Sequence, residues 1–195
     1  MRFLLSISRG IDWVNEHVGR LVYWLVLATV LISAGNAIMR KMFSLSSNAW
    51  LELQWYLFSA VFLLCAGYTL LRNEHVRIDV VAGRFGAKAQ AWIDILGTVF
   101  FLLPMSVTIM VLSWPYFLRA YTEHEISGSA GGLVLWYARL LLPVGFLLLS
   151  MQGVSELIKR IAFVAGAAPD PVKRHDHNAE AALVEEIRRM AEGKS

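Results

Sequence analysis

Four apolar stretches, each long enough to cross a lipid bilayer as a helix, constrain this chain more than any other feature. They run roughly over residues 21–38, 48–71, 90–118 and 133–158. A hydrocarbon core about 30 Å thick takes about 20 helical residues, and backbone polar groups inside lipid must be bonded within the segment itself. The predicted fold class is therefore an all-α integral membrane protein with four transmembrane helices. The third stretch is long for an upright crossing, which predicts tilt or extension beyond the membrane. Pro104 falls inside the third and Pro143 inside the fourth, where membrane helices tolerate proline with a kink. Charged residues make up 17% of the chain, below the ~25% of a soluble domain.

Residues 1–20 precede the first span. Phe3, Ile7, Ile11, Val14 and Val18 recur at helical steps and share one stripe, with Arg9 and Glu16 off it. The spacing predicts an amphipathic helix lying in the interface, the alternative being a plain N-terminal extension of the first span. Phe3–Ser8 is too short for the apolar region of a secretory signal, and no small-residue cleavage site follows. The span-containing region runs over residues 21–166. Residues 167–195 form a polar tail that opens with two prolines, and Ala179 to Ala191 could make one short helix, marginal alone.

Basic residues set the expected orientation. With the N-terminus inside, Arg2, Arg9, Arg20, Arg72, Arg77, Arg84, Lys88, Lys159 and Arg160 lie on the inner side, and only Arg40, Lys41 and Arg119 lie outside. The positive-inside rule then puts both termini in the cytoplasm. The tryptophans sort into two belts on the same map. Trp50, Trp55, Trp114 and Trp136 gather at the outer boundary, and Trp13, Trp24 and Trp92 at the inner one.

Little in the chain suggests catalysis. The single cysteine, Cys65, excludes an internal disulfide and a cysteine metal cluster. The five histidines, His17, His75, His124, His175 and His177, lie in loops, ends or tail, so no mid-membrane pair could hold a haem. His175 and His177 flank Asp176 in what reads as a solvated linker. No hydrolase, zinc-protease or phosphate-loop motif occurs. Basic residues are scattered at span ends, which argues against nucleic acid binding. The expectation is no enzyme and no cofactor.

The polar residues near the spans carry the remaining information. A charge at the bilayer centre costs roughly 2.5–3.5 kcal/mol on insertion scales. Glu52 lies about one turn into the second span and Arg139 nearly two turns into the fourth, both from the outer side. At these depths the two can pair; alternatively Arg139 snorkels outward and Glu52 sits among headgroups. Asp94 reads as a hydrated interfacial acid within reach of Arg72 or Arg20, and Glu156 as an ordinary helix-surface neighbour of Lys159 and Arg160. Beneath the second span, Arg72 to Val80 reads RNEHVRIDV. Asn73 can end a helix there and Asp79 can cap the next. That ordered mix of acid, histidine and arginine exceeds what topology needs and reads as a contact surface.

Asn48 to Asp79, NAWLELQWYLFSAVFLLCAGYTLLRNEHVRID, resembles the second helix and following loop of the DctQ-type small membrane subunits of tripartite ATP-independent periplasmic (TRAP) transporters. The family pattern opens that helix with tryptophan and glutamate, here Trp50 and Glu52. It closes with an arginine, histidine, valine, arginine, aspartate series, here Arg72, His75, Val76, Arg77 and Asp79. Ser129 to Phe163 resembles the mannitol/chloroaromatic-type subgroup, although Ser127-Gly128-Ser129 stands where that subgroup has an asparagine-containing turn. The resemblance covers about residues 10–166. It implies a bacterial inner-membrane scaffold subunit partnered by a large permease subunit and, through the complex, by a periplasmic solute-binding protein. It also implies uptake of an organic anion, a carboxylate, driven by an ion gradient. Trp50, Glu52, Arg72, His75, Arg77, Asp79 and Arg139 are then expected in subunit contact or structure rather than in substrate binding. The rival reading is a self-sufficient homo-oligomeric transporter or channel, which needs polar pore-facing residues near mid-span.

Overall fold

The computed structural model describes residues 2–44, 47–72 and 86–168. It contains four long helices: α1 (Arg2–Phe43), α2 (Asn48–Leu71), α3 (Ala87–Thr122) and α4 (Trp136–Val164). All four are long and apolar enough to cross a membrane, as the apolar stretches predict. Among the described residues the only extended pairing is one antiparallel bridge, Ile126 with Val134. His75, Arg77 and Asp79, the proposed Asn73 and Asp79 caps and the tail helix fall outside the described residues.

The N-terminal stretch and the first span form one uninterrupted helix of 42 residues. At 1.5 Å per residue that is about 63 Å, roughly twice the thickness of a hydrocarbon core. The stripe of Phe3, Ile7, Ile11, Val14 and Val18 is not the buried face: Phe3 is 76% and Ile7 42% exposed, and Ile11, Val14 and Val18 are only partly covered. Ser8 and Asn15 face inward instead and are fully buried. Lipid accepts an apolar face as readily as a protein core does, so in a membrane the polar groups are the ones driven to find protein partners.

The helices do not close into a symmetric bundle. α4 is the hub, packing against α1, α2 and α3, and α1 also packs along α2. α3 leans on α4 alone, leaving a groove between α2 and α3. Close approach relies on small residues. A Cβ at Gly145 of α4 would stand 2.9 Å from the Leu63 carbonyl of α2, and one at Gly67 of α2 would overlap Asn15 Oδ1 of α1. Neither neighbour is free to retreat, so glycine sets both crossings.

α3 changes pitch at its middle. Thr98–Leu102 forms a π turn in which the Leu103 N–H bonds the Thr98 carbonyl, five residues back. Pro104 has no N–H, and its ring would press on the Phe100 carbonyl in a regular helix. Widening the preceding turn relieves that contact. The same turn aims Leu102 and Leu103 at Gly153 of α4.

Candidate functional site

The polar residues of this chain gather at the two ends of the helices. At one end, α3 stops with His124 in a left-handed conformation (φ 47°), and residues 125–135 fold back as a small hairpin. Ser127 N–H bonds the Leu133 carbonyl at 3.0 Å and Leu135 N–H bonds the Glu125 carbonyl at 3.0 Å. Glu52 of α2 reaches into this hairpin, accepting from the Ser127 hydroxyl and from the Leu133 N–H at 2.7 Å. Asn48 Nδ2 donates to the Ala130 carbonyl at 3.1 Å. The start of α2 is thus pinned to the loop before α4.

Glu52 and Arg139 do not pair; each has another partner. The Arg139 guanidinium makes a two-pronged bond to Glu125, at 2.5 and 2.7 Å, and lies 4.0 Å from the centre of the Tyr116 ring. Glu125 closes the last turn of α3 through its own N–H to the Ala120 carbonyl, so this ion pair ties α3 to α4. Hydrogen bonds from Arg139 hold the Glu125 carboxyl below the usual carboxylate range. Trp50, half exposed, borders a cavity of about 550 Å³ between the C-terminal part of α1 and the start of α2.

At the opposite end Arg72 bonds Glu16 of α1 at 2.6 Å and Tyr68 OH at 3.1 Å. Arg20 shares the same Glu16 oxygen at 3.3 Å. Asp94 is held by Arg160 at 2.9 Å, not by Arg72 or Arg20, because α3 packs on α4 and lies away from α1. Arg160 is only 6% exposed while the Asp94 side chain stays 27% exposed, so the pair joins a buried arginine to an acid that still reaches the surface. Glu156 bonds Lys159 at 2.7 Å, and Lys159 goes on to Asp12 of α1 at 2.9 Å.

Between these ions runs a chain of buried amides and hydroxyls that sequence reasoning missed. Asn15 Nδ2 donates to Gln152 Oε1 at 3.0 Å, and Gln152 Nε2 donates to Asp12 at 3.0 Å. Ser155 donates to Asp12 at 2.7 Å, and its hydroxyl lies 2.7 Å from that of Ser8. Gln152 is wholly inaccessible. The available signal was the seven-residue spacing of Ser8, Asn15 and Val22, all buried on one α1 face. No group of three or more metal-ligating side chains occurs among the described residues. What this arrangement does chemically is fasten helices, since nearly every polar group it contains is bonded to a neighbouring element.

A family model for the DctQ component of tripartite ATP-independent periplasmic transporters matches residues 29–163. No curated protein and no solved structure matches the chain. The match covers α2, α3, nearly all of α4 and the C-terminal part of α1, taking in both Glu52 and the Glu125–Arg139 pair. This multi-pass membrane chain therefore belongs to the DctQ family and is a small subunit of a TRAP transporter.

Proposed function

We propose that this subunit is the static scaffold of an uptake system for an organic anion, a carboxylate, across the bacterial inner membrane. It works beside a large permease subunit that carries the substrate, with a periplasmic solute-binding protein delivering that substrate. An ion gradient drives the cycle, and both termini of this chain lie in the cytoplasm in keeping with its basic residues. The family match carries the reading. The geometry supports a static role, because the charged groups at both ends are committed to fastening one helix to another: Glu16 to Arg72, Asp12 to Lys159, Asp94 to Arg160 and Glu125 to Arg139. A moving transport site instead needs polar groups near the midplane on interrupted helices. Trp50, Glu52, Arg72, His75, Arg77, Asp79 and Arg139 are assigned to fold and subunit contact.

Affinity purification of the tagged chain from membranes that also hold the large permease tests this. The permease is expected to co-purify, and Glu52→Ala together with Arg77→Ala is expected to reduce both its recovery and uptake. Unchanged assembly and unchanged uptake in that variant would remove the assigned role of these residues.

A further inference from the structure

The groove between α2 and α3, about 520 Å³ in volume, has a charged end and an apolar remainder. Among the described residues that line it, the charged ones are Asp94 of α3 and Glu156 and Arg160 of α4. All three stand at the end of the molecule where α3 begins and α4 finishes. Thr98 lies one turn further along α3, about 6 Å from Asp94. Beyond Thr98 the described lining is hydrocarbon, with Phe101 76% and Met105 58% exposed.

The length of the groove matches one leaflet of a bilayer. Asp94 to Met105 on α3 and Arg160 to Leu149 on α4 each rise about 16 Å. That is about half of a hydrocarbon core about 30 Å thick. A molecule with a polar head at the charged end and one hydrocarbon chain reaching the midplane fills such a shape.

The charges select the head. Arg160 is turned to Asp94 at 2.9 Å with its side chain 7% exposed, whereas the side chains of Asp94 and Glu156 are 27% and 19% exposed. Lys159 holds Glu156 and also Asp12, so the linked ion pairs set three acids against two bases. Carboxylate is therefore what the groove chiefly presents. An anionic head is repelled there, and a quaternary amine has no N–H to donate. A primary ammonium brings three donors for charge-assisted bonds.

We propose that this groove binds one aminophospholipid, its ammonium on the carboxylates of Asp94 and Glu156 and an acyl chain along Phe101 and Met105. The site belongs to this chain alone, with or without the large subunit. Gly97 offers a way to block it: Gly97 lines the groove, and a Cβ built there meets no protein atom within 4 Å. A larger side chain at that position enters the groove rather than the packed core, and leucine favours the helix more than glycine does.

Native mass spectrometry of the delipidated, detergent-solubilised chain tests this, with titration by dioleoyl phosphatidylethanolamine, phosphatidylcholine or phosphatidylglycerol. One phosphatidylethanolamine is expected to be held about tenfold more tightly than either of the others. Gly97→Leu is expected to abolish that adduct without lowering the melting temperature of the lipid-free chain. Glu156→Gln is expected to weaken phosphatidylethanolamine about tenfold and to leave phosphatidylglycerol no weaker. Phosphatidylglycerol bound as tightly as phosphatidylethanolamine, or an adduct undiminished by Gly97→Leu, overturns the proposal. A dimer of this chain that Gly97→Leu disperses, with no lipid adduct, overturns it as well. Should Gly97→Leu lower the lipid-free melting temperature, Glu156→Gln decides: undiminished phosphatidylethanolamine binding in that variant overturns the site, and the selective loss upholds it.

Discussion

Glu52 shows how one residue can be conspicuous in a sequence while its partner stays hidden. An acid one turn into an apolar span is visible without a structure. Its acceptor role is not, because Ser127 and Leu133 come within reach only after residues 125–135 turn back as a hairpin, and no periodicity encodes that turn. The hairpin predicts a graded response. Glu52→Gln keeps one oxygen able to accept and should lower the melting temperature less than Glu52→Ala, in thermal unfolding of the detergent-solubilised chain. Equal losses would place the Glu52 contribution in packing instead. Ser127→Ala should fall on the same side as Glu52→Gln, since it removes one of the same bonds.

Glu125 adds a pH dependence whose sign follows from its partner. Arg139 lowers the folded-state pKa of Glu125 below that of the unfolded chain. Between the two values the unfolded state binds more protons, so the stabilisation is complete above the unfolded value of about 4.3 and is lost as pH falls through the folded one. The melting-temperature advantage of wild type over Glu125→Gln should therefore be constant from neutral pH down to about 4.3 and shrink below it. An advantage that vanishes well above that pH would contradict the pair.

At the scale of elements, the existence of four membrane-crossing helices was legible because the hydrocarbon acts directly on composition. The facing of α1 was not. Its apolar stripe marked a helix correctly, but which side meets protein follows from Asn15 meeting Gln152 and Asp12 meeting Lys159, contacts made across well over a hundred residues of chain. The widened turn of α3 was half legible, in that Pro104 announced a disturbance but not a π turn. Two substitutions test these elements. Gly67→Ala drives a methyl into Asn15 and should cost about 1–3 kcal/mol by overpacking, read by denaturant or thermal unfolding. Asn15→Ala removes the same neighbour's amide and strands the Gln152 carbonyl, for a comparable loss of about 1–3 kcal/mol. If the clash is the cause, the double variant should lose clearly less than the sum of the two. Strict additivity would deny the contact.

At the scale of the whole molecule, the polar chemistry lies at the ends, while the hub helix α4 binds three neighbours that do not all touch one another. Such a frame holds a shape and exposes long apolar flanks, as a subunit fitted against a larger membrane partner requires. The family was legible from the Asn48–Asp79 stretch, whereas the inner hydrogen-bond chain and the hairpin clasp needed coordinates. The most direct test is reconstitution of this chain and the large permease, separately and together, in liposomes with the solute-binding protein and a labelled carboxylate, under an imposed ion gradient. A scaffold subunit predicts uptake only when both membrane subunits are present. Gradient-driven uptake by this chain alone would contradict it.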